Sequence, residues 1–322
     1  MISIIIPFNN LVYLKNCLKK LHSMKMNNML NNIFEIILIN DFAKEGIEGE
    51  TYKIIKNYST KLNLKYYKVP EKTIGVGNAR NIGIEKASGK YIMFLDVDDT
   101  LDKNLLNNLQ EYIEDDIEMI KYKMRIIKNG REFLTNEISF EKTDGQDAFN
   151  RLCYCDKYID SPCLYVIKKE LFNRTNLKFE KNVYHEDFGL IPQLIVNAKS
   201  IVSLNYYGYN YYQSENSIMR NTDYEKQIKK VQDKIALYNK MVRNLEIFQI
   251  TEQTRANLLT YYTNSIIFSL KDLKKHDRKK FENRIKKQGI LNNLQPKSFR
   301  QFAKKILLKT NMEMYYKYIK NY

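Results

Sequence analysis

A chain of 322 residues, 44% hydrophobic and 12% aromatic, can bury one large or two medium cores, which excludes disordered and fibrous classes. Eleven glycines and five prolines leave no room for a long flexible linker, and no apolar run approaches the ~20 residues of a membrane span. The net charge of +16 is uneven: Lys271 to Tyr322 hold 16 basic and 4 acidic residues, a basic tail on a nearly neutral body, which calls for an anionic partner.

Met1 leads straight into a β-branched run with no basic leader before it, so no signal peptide is expected. Four cysteines without a C-x-x-C pair or a histidine at metal spacing fit ordinary thiols in a reducing compartment. Ile2 to Pro7 reads as a strand buried on both faces, and Tyr13, Leu14, Cys17, Leu18 and Leu21 follow at helical spacing. Phe34 to Ile39 is a second strand, Thr51 to Leu62 a helix, Leu64 to Val69 a third strand. Asn78 to Ala87 is a helix closed by Gly89, and Tyr91 to Leu95 a fourth strand. This alternation predicts an α/β, doubly wound sheet whose site lies at the carboxyl ends of the strands. Leu101 to Ile113 reads as helix, Ile117 to Ile127 as one or two outer strands, and Ile201 to Tyr212 as a late strand. From Tyr224 on the pattern is helical. Ile228, Val231, Ile235, Tyr238, Val242 and Leu245 form a heptad-like seam that suits either a homodimer or packing within the chain. A second helix is expected near Thr254 to Leu273. A boundary near residue 220 divides an α/β domain, 1–220, from a smaller helical, basic domain, 221–322.

The strongest local signal is Phe94-Leu95-Asp96-Val97-Asp98-Asp99-Thr100, where a buried strand ends in three carboxylates within four positions. Such crowding is costly unless a hard cation such as Mg²⁺ or Mn²⁺ sits among them. A bland reading makes Asp99 or Thr100 the cap of the next helix. Two chemistries use the pattern. Asp96 could form an aspartyl-phosphate, as in haloacid-dehalogenase-type phosphotransferases, whose D-x-D-x-T it matches. Alternatively, Asp96 and Asp98 form the D-x-D of a nucleotide-sugar glycosyltransferase. Position favours the second, because the phosphatase motif normally sits on a domain's first strand and its later acidic signature is missing here.

Ile4-Ile5-Ile6-Pro7-Phe8-Asn9-Asn10, Tyr13-Leu14-Lys15-Asn16-Cys17-Leu18, Glu35 through Asp41, and above all Gly75 through Asp99 run almost position for position with one family. Over its first 215 or so residues the chain resembles a family 2 inverting glycosyltransferase of GT-A fold, of the bacterial surface-glycan type. The resemblance implies that Asp41 accepts from a uracil ring N–H and that Pro7, Phe8 and Asn10 surround the nucleoside. It also implies that Arg80 lies near phosphate or ribose, that Asp96 serves the nucleotide, and that Asp98 with Asp96 holds Mn²⁺ or Mg²⁺. The pattern departs at Asn40, where the family has aspartate, and at Phe42-Ala43, where it has Gly-Ser.

An inverting transfer needs a base on the acceptor side. The family's E-D pair aligns with Tyr184-His185-Glu186-Asp187-Phe188, at the opening of an apolar helix, which makes Asp187 the candidate base with Glu186 in support. Tyr209 to Ile218 resembles the family's closing Y-x-Y…S-I, its tyrosines suited equally to sugar stacking or to the core. The implied partners are a nucleotide-sugar, in the first place a UDP-sugar, and a glycan or lipid-linked acceptor, with no nucleic acid. The basic tail has Phe299, Phe302, Ile306 and Leu307 on one face of a helix from about Ser298. That helix suits an anionic membrane surface, hence a cytoplasmic protein peripheral on the inner membrane face. A nucleic-acid-binding protein is the non-enzyme alternative, weakened because no nucleic-acid motif accompanies the charge.

Overall fold

The computed structural model describes residues 1–27, 34–42, 47–156, 158–213 and 223–320. The chain divides into two compact units, Met1–Arg220 and Asn221–Tyr322.

The first unit is built on one ten-stranded mixed sheet. Strand β1 (Ile2–Phe8) pairs in parallel with β2 (Phe34–Asn40) on one side and β4 (Tyr91–Phe94) on the other, and β3 (Leu64–Lys68) extends it beyond β2. Every residue of β1, β2 and β4 is buried, as their β-branched runs demand of a sheet covered on both faces. The helices α1 (Leu11–Asn27) and α2 (Glu48–Ser59) step the chain from β1 to β2 to β3, and α3 (Val76–Lys86) returns it to the far side of β1. Right-handed crossovers therefore put α1 and α2 on one face and α3 on the other. The reversal falls between β1 and β4, where ligands of such sheets bind.

Beyond β4 the sheet becomes mixed. The short β5 (Thr100–Leu101) and α4 (Leu105–Glu114) replace the single helix expected from Leu101, and Asn104, not Asp99 or Thr100, stands at the N-cap position of α4, without a side-chain cap. Next come β6 (Met119–Lys128), β7 (Arg131–Leu134), β8 (Phe140–Thr143) and α5 (Gly145–Leu152). After them run β9 (Tyr165–Lys168), α6 (Lys169–Thr175), α7 (Leu190–Asn197) and β10 (Ile201–Tyr212). The sheet order is β3-β2-β1-β4-β9-β6-β10-β5. The segment expected at the outside is thus internal. It lies between β9 and β10, and its lysines are accommodated there by pairing: Lys121 is fully buried against Glu137 and Asp156.

The second unit is all helical: α8 (Tyr224–Asn244), α9 (Glu252–Ser269), α10 (Lys275–Lys287), α11 (Phe299–Thr310) and α12 (Met312–Lys320). Asp223, Thr251 and Ser298 cap α8, α9 and α11 through their side chains. The heptad-like seam is spent inside the chain. Val231, Ile235, Tyr238 and Leu245 are buried, and Tyr238 shares a 3.0 Å hydrogen bond with Thr263 of α9. Among the described residues no helix is long and apolar enough to cross a membrane.

Candidate active site

The ends of β1, β2 and α3 are tied together by Asp41. Its N–H donates to the Phe8 carbonyl at 2.9 Å, and its carboxylate accepts the Gly75 N–H at 2.6 Å. Gly75 stands at φ 144°, a region closed to side chains, which lets that N–H turn back onto Asp41. Burial lifts the Asp41 carboxyl above its usual range, and the Gly75 hydrogen bond only partly offsets this. Pro7 and Phe8 are buried, and the Phe8 ring meets Phe42 edge-on at 6.0 Å and Tyr66 at 6.4 Å. These contacts account for the two departures in the motif. Asn40 donates to the Tyr66 hydroxyl at 2.9 Å and accepts the Phe42 N–H at 3.0 Å, so the pair builds an aromatic wall beside Phe8. Ala43 lies outside the described residues. The Asn10 side chain caps α1, accepting from the Val12 and Tyr13 N–H groups at 2.9 and 3.1 Å.

Arg80 projects from α3 and is buried. Its guanidinium stacks 5.4 Å from Phe179 and donates to Asp96 at 2.9 Å and to Glu186. Burial opposes its charge, yet Asp96 and Glu186 outweigh burial and hold it protonated more firmly than an ordinary arginine. The sequence places Arg80 at phosphate or ribose; the structure spends two of its nitrogens on carboxylates and leaves the buried Nε without a partner. Arg80 is therefore the clasp that brings the D-x-D segment and the E-D segment together, its own partner Glu186 lying 106 residues along the chain.

After β4 the chain turns, with the Asp99 N–H donating to the Asp96 carbonyl at 3.0 Å. The Asp96 side chain is 41% exposed, and Asp98 is exposed as well. Asp99 points inward, accepting the Tyr209 O–H at 2.7 Å and the Tyr212 N–H at 2.8 Å. Burial and then Asp96 push Asp99 up to about 8, and the same two causes raise Asp98. Sequence reasoning missed this grip of β10 on the motif. Tyr209, read as a candidate for sugar stacking, is only 2% exposed and belongs to the core. Its one sequence signal is the aromatic alternation of 206–212. The end of the closing motif, Ser214 to Ile218, lies outside the described residues.

The E-D pair sits in a turn before α7 rather than in its first helical turn, since α7 begins at Leu190. His185 takes a left-handed φ of 57°, its carbonyl receives the Phe188 N–H at 2.9 Å, and Asp160 accepts the Gly189 N–H at 2.8 Å. Burial, then Glu186 and Asp160, push the Asp187 carboxyl well above the normal range. Gly77 makes this turn's approach possible: a Cβ there would stand 2.4 Å from the Glu180 carbonyl oxygen and 3.0 Å from the Glu186 side chain. Among the described residues no three His, Cys, Asp or Glu side chains are grouped to hold an ion alone. Asp96 and Asp98 still fit a divalent cation, because a crowded pair of accessible carboxylates suits an ion that takes its other ligands from phosphate and water. Beside Asp98 a cleft of about 680 Å³ opens, lined by Tyr13, Lys20 and Tyr212 among others.

The Glycosyl transferase family 2 model matches residues 3–175, more than half of the chain. The chain is 24% identical over 220 residues to TarS of Staphylococcus aureus, a poly(ribitol-phosphate) beta-N-acetylglucosaminyltransferase. That match covers 65% of this chain and 35% of TarS, so the chain spans about a third of that relative. It is 25% identical over 232 residues to the glycosyltransferase GlyG of Streptococcus pneumoniae, covering 68% of this chain and 73% of GlyG. The crystal structure of S. aureus TarS 1–349 in complex with UDP-GlcNAc matches with a TM-score of 0.74 at 18% identity, over 98% of this chain and 91% of that one. At that identity the likeness shows the fold: GT-A with a helical C-terminal region.

Proposed function

The chain belongs to glycosyl transferase family 2, and on that premise we propose that it transfers a sugar from a UDP-sugar, with inversion, to a glycan or lipid-linked acceptor of bacterial surface-glycan synthesis. The observation that supports this reading is the Arg80 clasp, which joins Asp96, assigned here to the donor side, to Glu186, assigned to the acceptor side, and would so set Asp187 beside the donor. UDP-GlcNAc is the first donor to test, as TarS is described with it. A poly(ribitol-phosphate) is the acceptor named for that relative.

Asp41 would receive the uracil N–H, inside the pocket walled by Phe8 and Phe42. Asp96 and Asp98 would hold Mn²⁺ or Mg²⁺, which supplies the positive charge that eases departure of the diphosphate. Asp187 would take the proton of the acceptor hydroxyl as its oxygen bonds to the anomeric carbon. The bond from that carbon to the diphosphate breaks on the opposite face, and UDP leaves. A raised pKa suits a base at this step, because it strengthens the hold on the proton being taken. Glu186, held beside Asp187 by Arg80, would sustain that elevation. The phosphotransferase and nucleic-acid alternatives gain no support, since Asp96 follows the fourth strand of a family 2 domain and is engaged by Arg80.

Thermal unfolding with UDP, GDP and ADP, each with and without Mn²⁺, tests the donor class, and UDP release from UDP-GlcNAc tests the reaction. UDP should stabilise the chain most, and more so with Mn²⁺. Equal effects of all three nucleotides, or none, would overturn the reading.

A further inference from the structure

The described cations on one side of α11 and the apolar side chains on the other are arranged the reverse of a solvated helix. Phe299, Phe302 and Ile306 stand 86%, 51% and 48% exposed, at i, i+3 and i+7, so they form one outward stripe. The opposite side is anchored. Leu308 is fully buried, Lys304 donates to Asn264 of α9 at 2.8 Å, and Lys305 donates to the Leu294 carbonyl. Burial accordingly depresses the pKa of Lys304. The anchors fix which face the helix presents, so the stripe does not turn inward to find cover.

From this we propose that the outward face of α11 docks onto an anionic lipid bilayer, with Phe299, Phe302 and Ile306 entering the interface and exposed cations beside them meeting lipid phosphates. Charge selects the occupant. Residues 271–322 carry 16 basic and 4 acidic side chains. At about 100° per residue, exposed Lys309 falls on the margin of the stripe beside Phe302, and exposed Arg300 lies roughly 100° beyond Phe299, toward Lys304. An apolar stripe with aromatic members and flanking cations is the composition of helices that lie in a membrane interface. A second copy of the chain would bring the same basic surface against its own kind, whereas anionic headgroups neutralise it. The proposal concerns α11 alone and does not depend on the transfer reaction.

The sequence contains no tryptophan, so Phe299→Trp in the full chain creates a single reporter. Its emission should shift to shorter wavelength on adding phosphatidylglycerol-containing vesicles and stay unchanged with pure phosphatidylcholine vesicles, and the shift should weaken with salt. Separately, Phe299→Ser/Phe302→Ser/Ile306→Ser should lower partitioning onto the anionic vesicles at least tenfold while UDP binding is unchanged. An unshifted tryptophan emission from the Phe299→Trp chain with anionic vesicles would overturn the proposal. So would a triple variant that binds them as the parent does, since charge alone would then suffice. A parent that self-associates through this face, with the triple variant monomeric, would assign the stripe to a second copy instead.

Discussion

Two clusters in the first unit share one plan, a buried cation between two carboxylates, and differ in every other respect. Lys121 reaches Glu137 and, at 3.1 Å, Asp156, and all three are buried. Glu137 also takes the Thr135 hydroxyl and the Met124 N–H, and Asp156 Oδ1 takes the Tyr158 N–H, while the buried Asp156 Oδ2 has the Lys121 ion pair but no hydrogen bond among the described residues. Arg80 instead holds one carboxylate, Asp96, that reaches solvent, and around it Asp98, Asp99 and Asp187 all have pKa values pushed up. The first cluster is closed and can only hold β6 to its neighbours. The second has more carboxylates than one arginine can neutralise and an opening to the outside, so it can take in a cation or a proton. Surplus like charge with access, rather than burial or ion pairing as such, marks a working site.

The contrast can be broken by exchanging consequences between the clusters. Asp187→Asn should cut kcat by roughly 10²–10⁴-fold, the usual cost of losing a general base, with UDP affinity and thermal stability nearly unchanged. Lys121→Met should do the opposite, lowering stability to urea by roughly 3–5 kcal/mol because two buried carboxylates lose their partner, while turnover per folded molecule persists. If Lys121→Met abolishes turnover in a folded protein, the distinction fails. Asp98→Ala should weaken Mn²⁺ affinity by at least roughly 10–100-fold, the range seen even for residues behind the ligands, and EDTA should silence the parent reversibly. Full activity in EDTA would remove the metal from the reading. The smallest effect sharpens the comparison most. A base must be ionised, so kcat rises as pH climbs through the Asp187 pKa, which lies above the ordinary carboxylate range. Glu186 is among the charges that raise it, so Glu186→Gln should move that rising limb to lower pH. A limb that stays put, or moves up, would mean Glu186 does not set the base.

The parts legible in the sequence are those where local pattern and tertiary fate agree. The β-branched runs of β1, β2 and β4 are buried on both faces as their composition demands, and Asp96 to Asp99 follow β4 directly. The misreadings arise where distant partners decide. From sequence β6 is expected at the outside of the sheet, and its internal place depends on Glu137, Asp156 and Asn205, which make Lys121 and Lys123 tolerable inside. The link from Tyr209 to Asp99 spans 110 residues, and the aromatic alternation of 206–212 does not name Asp99 as its partner. Arg80 was legible as a site residue, but its partners were not, since one lies 106 residues away. Half-polar β7 and β8 carry too little periodicity to announce themselves, with β7 exposed at every residue.

The irregular pairing of β10 has a consequence for how this chain can change over generations. From Ser203 to Tyr209 β10 takes six steps where its partner β6 takes three, Lys121 to Met124. Gly208 lies in that stretch, where a Cβ would come within 2.6 Å of Leu105 and 2.9 Å of Tyr122. Strand side chains alternate between faces, so the odd surplus decides which face Tyr209 occupies. Removing one residue between 204 and 208 would send Tyr209 to the opposite face and free Asp99, whereas removing two would preserve its side. Descendants of this sequence should therefore tolerate length changes here in pairs and lose the Tyr209 grip on Asp99 on single steps.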